Sequence, residues 1–362
     1  MIVPTGESPA IVVGAGLAGL SCARALADAG RAVIVLERAR GVGGRCATRR
    51  VHDQAVDFGV LFLHGRDLAF LAALDAVPAT ALPGWPAVIL GAGRPCQPQA
   101  FAPGERRLAF AEGVSAFPKH LARGLDLRTS ARVLSLAAGP GRGSLGVELE
   151  GGGSLSAPTV VLALAAEQAL ALLAASPLSA PFAPALDTAR TLLGMVRSRP
   201  CLTVLAGYPL SAPAPPWDIH YPEASRVLQA VAHESTKRVD PAYRAMVYQA
   251  SPRWSHEHLG DADWAGAMLA EAGRLLGPWA SAPTFFEPHR WRYARTELGA
   301  ELAAPLLLTL PGGARLGLAG ELFAPGGGVE GAWISGRRLA KRILEDERPD
   351  VAPRGATAEE TG

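Results

Sequence analysis

The chain of 362 residues contains only three lysines, Lys119, Lys237 and Lys341, among 35 basic residues in total. The positive charge therefore comes mainly from scattered arginines, and abundant alanine, glycine and arginine beside scarce lysine indicate a compositional bias rather than a chemistry. The 33 acidic residues bring the formal net charge to +2. This balance argues against a nucleic-acid-binding surface as the main function.

Cysteine is sparse as well. The four cysteines lie far apart in the sequence and form no CxxC pair: Cys22, Cys46, Cys96 and Cys201. Isolated cysteines of this kind fit neither a metal site nor a disulfide framework. We therefore expect a protein of the reducing cytoplasm that holds no metal.

Long apolar runs are missing too. The most apolar later segment, residues 160–175, is interrupted by Glu167 and Gln168 and is too short to span a bilayer. The first apolar stretch has no basic region before it, so we expect neither a signal peptide nor a membrane span. The length suggests two or three domains, and 49% hydrophobic residues supply material for a large core.

The first fifty residues predict a strand, a glycine turn, a helix and a second strand. The apolar run 11–13 is followed by a GxGxxG pattern at Gly14, Gly16 and Gly19. Gly14 permits the tight turn, Gly16 lets the backbone approach a pyrophosphate, and Gly19 allows the helix to pack closely on the strand. The pattern is typical of a unit that binds the ADP half of a dinucleotide.

The helix that follows begins at Leu17 and Ala18, whose N–H groups would face the phosphates. The second strand, residues 32–36, ends in Glu37, about 20 residues after the glycines, where an acid accepts hydrogen bonds from the adenosine ribose. Arg38 comes next and is a further candidate contact. FAD and NAD share the ADP half, so this unit alone leaves the choice between them open.

A second glycine loop, residues 41–45, decides between the two cofactors. It lies directly after Glu37 in the sequence and carries Gly44 and Arg45. Such a loop suits a long cofactor whose pyrophosphate and ring edge lie against it, whereas NAD enzymes need no such element. We therefore predict non-covalent FAD. Cys46 borders the loop and is expected to be a small buried side chain, with covalent flavin attachment as the alternative.

Later segments return to the cofactor. We expect the strands at residues 131–134 and 159–164 to rejoin the nucleotide-binding sheet, which brings Val133 to the cofactor. The strand before residue 320 leads into a third glycine-rich element whose cofactor candidates are Gly320, Glu321, Val329, Glu330 and Ala332. An acid can hold the ribityl hydroxyls, and the positive end of the following helix can stabilise reduced flavin.

These segments predict an α/β fold of two domains, in which a Rossmann-type FAD-binding domain receives an inserted substrate domain with a mixed or antiparallel sheet. The FAD-binding domain is expected in three parts, 1–75, 109–175 and 309–346. The substrate domain is expected as an excursion over 76–108 and a main body over 176–308, where five tryptophans and alternating patterns such as 244–250 occur. The polar residues 347–362 are expected to form a disordered tail.

The chain resembles the renalase-like branch of FAD-dependent proteins of the amine oxidase superfamily. The resemblance runs over nearly the whole chain, and its most specific parts are the segments around Trp254 (250–255) and Trp291 (289–294). It implies hydride transfer from an isomeric dihydronicotinamide of the NAD(P)H kind to flavin N5, followed by reoxidation with O2 to hydrogen peroxide. Such a substrate releases hydride without a strong base and needs a flat slot against the flavin.

The resemblance also implies pocket residues. Trp291 matches the family's substrate-pocket tryptophan. Where relatives carry an Arg-Asn-Ser-Ser-Lys-Pro stretch this chain begins it with His233 and Glu234, and where they carry a histidine it has Gln249. We expect these three residues to contact the substrate and to alter which of its edges is hydrogen-bonded. The usual ribityl-contacting aspartate is Glu321 here.

Two alternatives stay open from the sequence. One is a flavin oxidase or desaturase that acts on an amine or another small metabolite, although the neighbourhood of Trp291 holds arginines and lacks the lysine that amine oxidases often carry. The other is a flavin-binding protein without turnover. The sequence leaves the oligomeric state open and implies a small-molecule substrate and O2 as the only partners.

Overall fold

The structure is a computed structural model that describes residues 8–91, 97, 99–178 and 180–347. The expectation for Cys96 and that for the tail beyond Glu347 lie outside the described residues. Within these ranges the chain forms two halves, each built on a six-stranded sheet.

The first sheet, called the nucleotide sheet below, is parallel except for one edge strand. Its order is Leu306–Thr309, Arg315–Leu318, Thr159–Leu162, Ala10–Val13, Val33–Leu36 and Asp126–Arg128. Only Leu306–Thr309 runs antiparallel to its neighbour. In the central strand Ile11 and Val13 join one hydrophobic core and Val12 joins the other. Both faces are therefore buried, which explains the short uninterrupted apolar strands of the sequence.

One strand prediction was wrong. Val160 pairs in the nucleotide sheet as expected, but Val133–Ala138 pairs antiparallel with Leu145–Leu149 in a separate three-stranded sheet completed by Ser154–Ala157. The turn between the first two strands favours this local pairing. Asp126–Arg128 takes the edge of the nucleotide sheet instead, through backbone bonds to Val33–Leu36 that its charged sequence does not reveal.

Helices cover both faces of the nucleotide sheet: Leu17–Asp28, Leu68–Asp75, Ala116–Ala122, Ala166–Ala174, Ala183–Met195 and Gly328–Asp346. The first and last of them cross in close contact, because a Cβ at Gly336 would lie 2.1 Å from the Ala18 carbonyl oxygen. Ala183–Met195 packs into the nucleotide half through Leu186 and Leu193. The boundary of the substrate half therefore lies near residue 197 and not at 176.

The second sheet, called the substrate sheet below, has the order Phe285–Thr296, Ser198–Tyr208, Arg244–Ala250, Leu228–His233, Ile219–Tyr221 and Ile89–Gly91. All neighbours are antiparallel except Ile89–Gly91, which runs parallel to Ile219–Tyr221. The helices Pro252–Glu257 and Trp264–Leu276 pack on one face, and the other face meets the nucleotide half.

The predicted excursion over 76–108 is divided between the halves. Ile89–Gly91 joins the substrate sheet, whereas Ala81–Pro83 and Arg106–Phe110 pair with Leu63–Gly65 in a three-stranded sheet. A hairpin of Thr48–Val51 and Gln54–Asp57 precedes it. Short 3-10 turns complete the structure: Gly44–Cys46, Ala180–Phe182, Glu234–Lys237, Pro278–Ser281, Pro311–Gly313 and Glu321–Phe323.

Candidate active site

The first glycine turn has the geometry that its sequence predicts. Gly14 has φ +105°, and a Cβ there would lie 2.6 Å from the Ala163 carbonyl oxygen. A Cβ at Gly19 would lie 2.0 Å from the Gly14 carbonyl oxygen, so only glycine lets the helix approach the strand this closely. A Cβ at Gly16, in contrast, would meet no atom within 4 Å. Gly16 lines the open cavity described below, beside Leu17 and Ala18.

Glu37 stands at the end of the second strand of the nucleotide sheet. Its carboxylate accepts the backbone N–H of Ala15 at 2.9 Å and that of Ala39 at 2.8 Å. Since a carboxylate offers about four lone-pair positions, it can still accept hydrogen bonds from a ribose. Arg38 and Val133 line the same end of the cavity, so Val133 reaches it although its strand belongs to another sheet.

The two glycine loops touch each other. The N–H of Gly43 donates to the carbonyl oxygen of Ala15 at 2.8 Å, and Gly44, with φ +54°, lies beside Gly16. Arg45 extends from this contact and forms an ion pair with Glu321. Its guanidinium also donates to the Ala294 carbonyl oxygen at 3.2 Å. Arg45 therefore joins the second cofactor element to the third one and to the substrate sheet.

The third element brings Gly320, Glu321, Val329 and Ala332 to the cavity, as predicted. Glu330 is a correction. It does not line the cavity, because its carboxylate turns to the backbone N–H groups of Arg66 and Asp67, at 2.7 and 2.6 Å. Glu330 therefore ties the backbone at residues 66–67 to the start of the last helix, Gly328–Asp346.

A single large cavity of about 1340 Å³ runs between the halves and is lined by all three cofactor elements. Its volume exceeds the roughly 300–1,000 Å³ of an ordinary small-molecule pocket. Two helices begin at it, after Gly16 and Gly327, and no side chain caps either of them. A Cβ at Gly16 or Gly328 would project into open space. Free N–H groups beside bare backbone suit a pyrophosphate and a flavin ring, so the residues present fit FAD.

Cys46 is buried at the cavity wall. Burial raises the pKa of its thiol to about 12, against the smaller lowering effect of Arg45. The thiol therefore stays protonated at neutral pH, and a thiol is a far weaker nucleophile than a thiolate. This environment favours non-covalent flavin over attachment to Cys46.

Part of the cavity wall is aromatic and is formed by Trp291 with Phe58 behind it. The two rings are stacked at 5.1 Å between centroids, and the Trp291 indole N–H donates to the Phe58 carbonyl oxygen at 3.2 Å. Gln249 lines the cavity beside them, and its amide donates to the Gly59 carbonyl oxygen at 2.6 Å. A Cβ at Gly59 would lie 2.8 Å from the Trp291 ring, so glycine is needed for this packing.

His289 packs edge-on against Trp291, at 4.2 Å between ring centroids. Burial and, to a smaller extent, the positive charge of Arg49 together lower the pKa of His289 to about 4. The imidazole is therefore neutral at pH 7. It adds an uncharged ring to the wall.

His233 and Glu234 do not line the cavity, and this corrects the predicted substrate contacts. The Glu234 carboxylate is fully buried, pairs with Lys237 and accepts the N–H of Asp57 at 3.0 Å. Burial raises its pKa, while Lys237 opposes that shift. His233 is buried against Trp217, and burial lowers its pKa. The turn Glu234–Lys237 folds towards the nucleotide half, away from the cavity.

Several cavity residues were missed by the sequence reasoning, among them Arg199, Tyr293 and His64, whose Nδ1 lies 2.7 Å from Glu105 Oε1. Among the described residues the cavity is lined by seven arginines and three glutamates, and by no lysine or aspartate. The arginines are Arg38, Arg45, Arg132, Arg199, Arg290, Arg292 and Arg295. The sequence after residue 289 has closely spaced arginines and so indicates part of this set. Arg199 lies far away in the sequence and reaches the cavity only because its strand pairs with Phe285–Thr296.

Comparison with known proteins identifies the family. The family described as "Flavin containing amine oxidoreductase" matches residues 97–344, and the "NAD(P)-binding Rossmann-like domain" matches residues 12–75. The chain belongs to the flavin containing amine oxidoreductase family. The predicted FAD cofactor and the assignment as an FAD-dependent oxidoreductase are thereby confirmed.

Curated relatives of this flavin containing amine oxidoreductase match only one segment. L-amino acid oxidase Cdc18 from Crotalus durissus cumanensis and L-amino acid oxidase bordonein-L from Crotalus durissus terrificus are each 43% identical over 63 residues, or 17% of this chain. The matched segment spans 13% and 12% of the two relatives, well below two thirds of their length.

Solved structures share the whole fold. A triple mutant of putrescine oxidase superposes with a TM-score of 0.69 at 16% identity, covering 94% of this chain and 99% of that one. Cyclohexylamine oxidase from Brevibacterium oxydans IH-35A gives a TM-score of 0.67 at 14% identity, covering 94% and 99%. The predicted two-domain α/β fold is confirmed.

Among the described residues, no helix combines the length and the apolar character that crossing a bilayer requires. Within the same ranges, no three or more histidine, cysteine, aspartate or glutamate side chains come together in a way that could hold a metal ion.

Proposed function

We infer that the protein is a renalase-like oxidase of a small planar reduced substrate, an isomeric dihydronicotinamide of the NAD(P)H kind. FAD, when bound, would supply the redox chemistry: overall the substrate would lose a hydride, and that hydride with O2 and one proton would give hydrogen peroxide. The chain's own residues bind the substrate flat, orient its reactive carbon and keep water out. A dihydronicotinamide expels hydride by itself, so no side chain has to remove a proton from it.

The observation that carries this proposal is the rigid aromatic wall. Trp291 is held by its indole N–H on the Phe58 carbonyl and by packing against Gly59. A flat ring system can lie against such a wall, with Gln249 available at its edge. His289 is neutral, so it adds no charge beside a ring that becomes cationic when it loses hydride.

Oxidation of an amine is the second candidate, and the likeness to putrescine oxidase and cyclohexylamine oxidase favours it. An amine is a cation at neutral pH. The arginine-rich lining of this cavity repels a cation, and among the described residues no lysine stands at its wall. The electrostatics therefore favour the first candidate.

Anaerobic flavin bleaching tests the proposal. Purified holoprotein is mixed without O2 with dihydronicotinamide isomers, with putrescine or cyclohexylamine, and with neutral control compounds. We expect bleaching by a dihydronicotinamide isomer and recovery of the yellow flavin, with peroxide formed, when air is admitted. Bleaching by amines alone would establish the second candidate. Retained FAD that no compound reduces would indicate a flavin-binding protein without turnover.

A further inference from the structure

Two arginines face each other across neighbouring strands of the substrate sheet. Arg199 on Ser198–Tyr208 is the direct partner of Arg295 on Phe285–Thr296, and both side chains line the cavity. Like charges directly opposite each other on an antiparallel pair are destabilising. A sheet keeps such a pair at little cost when an anion lies between or beside the guanidinium groups.

Neighbouring acids only partly supply that anion. Glu321 is the acid closest to Arg295, at 3.8 Å between the nearest nitrogen and oxygen, but it is already paired with Arg45. The negative charge of Glu301 also raises the pKa of Arg295, but by less than the charge of Glu321 does. Burial lowers the pKa of Arg295, and the charges of Arg199 and Arg45 lower it further against the effect of Glu321. The positive charges of the two guanidinium groups are therefore only partly compensated by acidic side chains.

The Arg199 side chain is compensated even less than that of Arg295. Its Nε is buried and has no hydrogen-bond partner within the described ranges. Glu167, which also lines the cavity, is committed to Ser198, whose N–H and hydroxyl it accepts at 2.9 Å each. A buried N–H donor without a partner carries an energetic penalty that a ligand oxygen would remove.

We propose that Arg199 and Arg295 form an anion subsite that binds a phosphate-type oxyanion in the cavity. Guanidinium groups bind such oxyanions through paired N–H donors. The oxyanion can come from the pyrophosphate of the cofactor or from a phosphate of the substrate. The second source rests on the proposed function, because a dihydronicotinamide nucleotide carries phosphates and a simple amine carries none.

Calorimetric titration with inorganic pyrophosphate tests the subsite and separates the two sources. The probe is added to holoprotein and to flavin-free protein, each as wild type, Arg199→Gln, Arg199→Lys and Arg253→Gln. Arg253 is the control because its side chain is 90% exposed and pairs with Glu257 away from the cavity. Thermal melting of each variant identifies any that fails to fold, and Arg199→Lys keeps the charge without the planar fork.

We expect Arg199→Gln to weaken pyrophosphate binding about tenfold or more, Arg199→Lys to weaken it less, and Arg253→Gln to leave it unchanged. Binding to holoprotein assigns the site to a substrate phosphate. Binding to the flavin-free protein that FAD abolishes assigns it to the cofactor. Absence of binding to both forms, or equal affinity in wild type and Arg199→Gln, would overturn the proposal. None of these results depends on which compound reduces the flavin.

Discussion

Lys237 and Asp57 form a fully buried ion pair that joins the two halves of the molecule, with Nζ 2.9 Å from Oδ2. The same ammonium donates to the Leu61 carbonyl oxygen at 2.5 Å, pairs with Glu234 and lies over the Trp85 ring. It therefore holds both ends of the segment 57–61. The carbonyl oxygens of Phe58 and Gly59, in the middle of this segment, accept hydrogen bonds from Trp291 and Gln249. A buried charge cluster outside the cavity therefore fixes the position of the aromatic wall inside it.

Replacing Lys237 with methionine should destabilise the fold strongly. Breaking one partner of a buried ion pair leaves an uncompensated charge and costs about 3–5 kcal/mol. The measurement is urea unfolding of the Lys237→Met variant. Lys341→Met is the matched control, since that side chain is 76% exposed and should change the free energy of unfolding by less than about 0.5 kcal/mol.

A double variant sharpens this prediction. Lys237→Met with Glu234→Gln removes one charge of each sign and leaves Asp57 beside Arg238, 3.9 Å away. We expect the double variant to lose less stability than the sum of the two single losses. Additive losses would mean that Lys237 and Glu234 do not interact in the folded protein.

Glu37 should be essential for cofactor retention. Glu37→Ala leaves the N–H groups of Ala15 and Ala39 without their acceptor and removes the ribose partner, which costs about 1–3 kcal/mol in binding. We expect the FAD dissociation constant, measured by flavin fluorescence at limiting FAD, to rise about tenfold or more. Glu257→Ala, an exposed acid away from the cavity, is the control. Equal FAD occupancy in both variants would contradict the assignment of Glu37.

His289 should make the protein less stable in acid. Its pKa is about 4 in the folded protein, below the usual 6.5. Between these values the unfolded chain binds a proton that the folded chain does not, so this stability contribution falls as the pH decreases from about 6.5 to 4. His289→Gln should therefore lose less stability than wild type when urea unfolding at pH 4.5 is compared with pH 7. An identical loss in His289→Gln and in wild type would refute the assignment.

The sequence predicts the conformation of the first glycine turn because backbone geometry dictates it. Gly14 and Gly19 are glycines since any Cβ would collide with a carbonyl oxygen, and Glu37 follows a buried strand whose direction is set by its neighbours. These constraints are local. They can be recognised within one short stretch of chain.

The substrate end depends on contacts between distant segments. His233 ends a strand that lines the cavity, but its ring packs against Trp217, and the 3-10 turn that follows carries Glu234 to Asp57 and Lys237. Arg199 meets Arg295 only because their strands pair. Residue type and spacing within one segment carry no information about either outcome.

Trp291 should affect chemistry and not cofactor binding. Its ring packs on Phe58 and Gly59, and it belongs to none of the three glycine elements that are predicted to bind FAD. Trp291→Ala should keep FAD bound but slow flavin reduction by a dihydronicotinamide isomer about tenfold, because aromatic contact is worth roughly 0.5–1.5 kcal/mol beyond area burial and the reactive geometry also loosens. Stopped-flow bleaching of the flavin measures the rate.

Two comparisons complete the test of the wall. Trp254→Ala alters a half-buried tryptophan that packs against the His258 ring outside the cavity, and it should leave the reduction rate unchanged. Gln249→His introduces the histidine that the renalase-like resemblance implies at this position and should raise the rate with dihydronicotinamide isomers. Glu234→Asn, in contrast, should lower stability without improving the rate, because Glu234 is tied to Lys237 and Asp57 and does not reach the substrate. If Trp291→Ala reduces the flavin as fast as wild type, Trp291 does not orient the substrate and the aromatic wall loses its role.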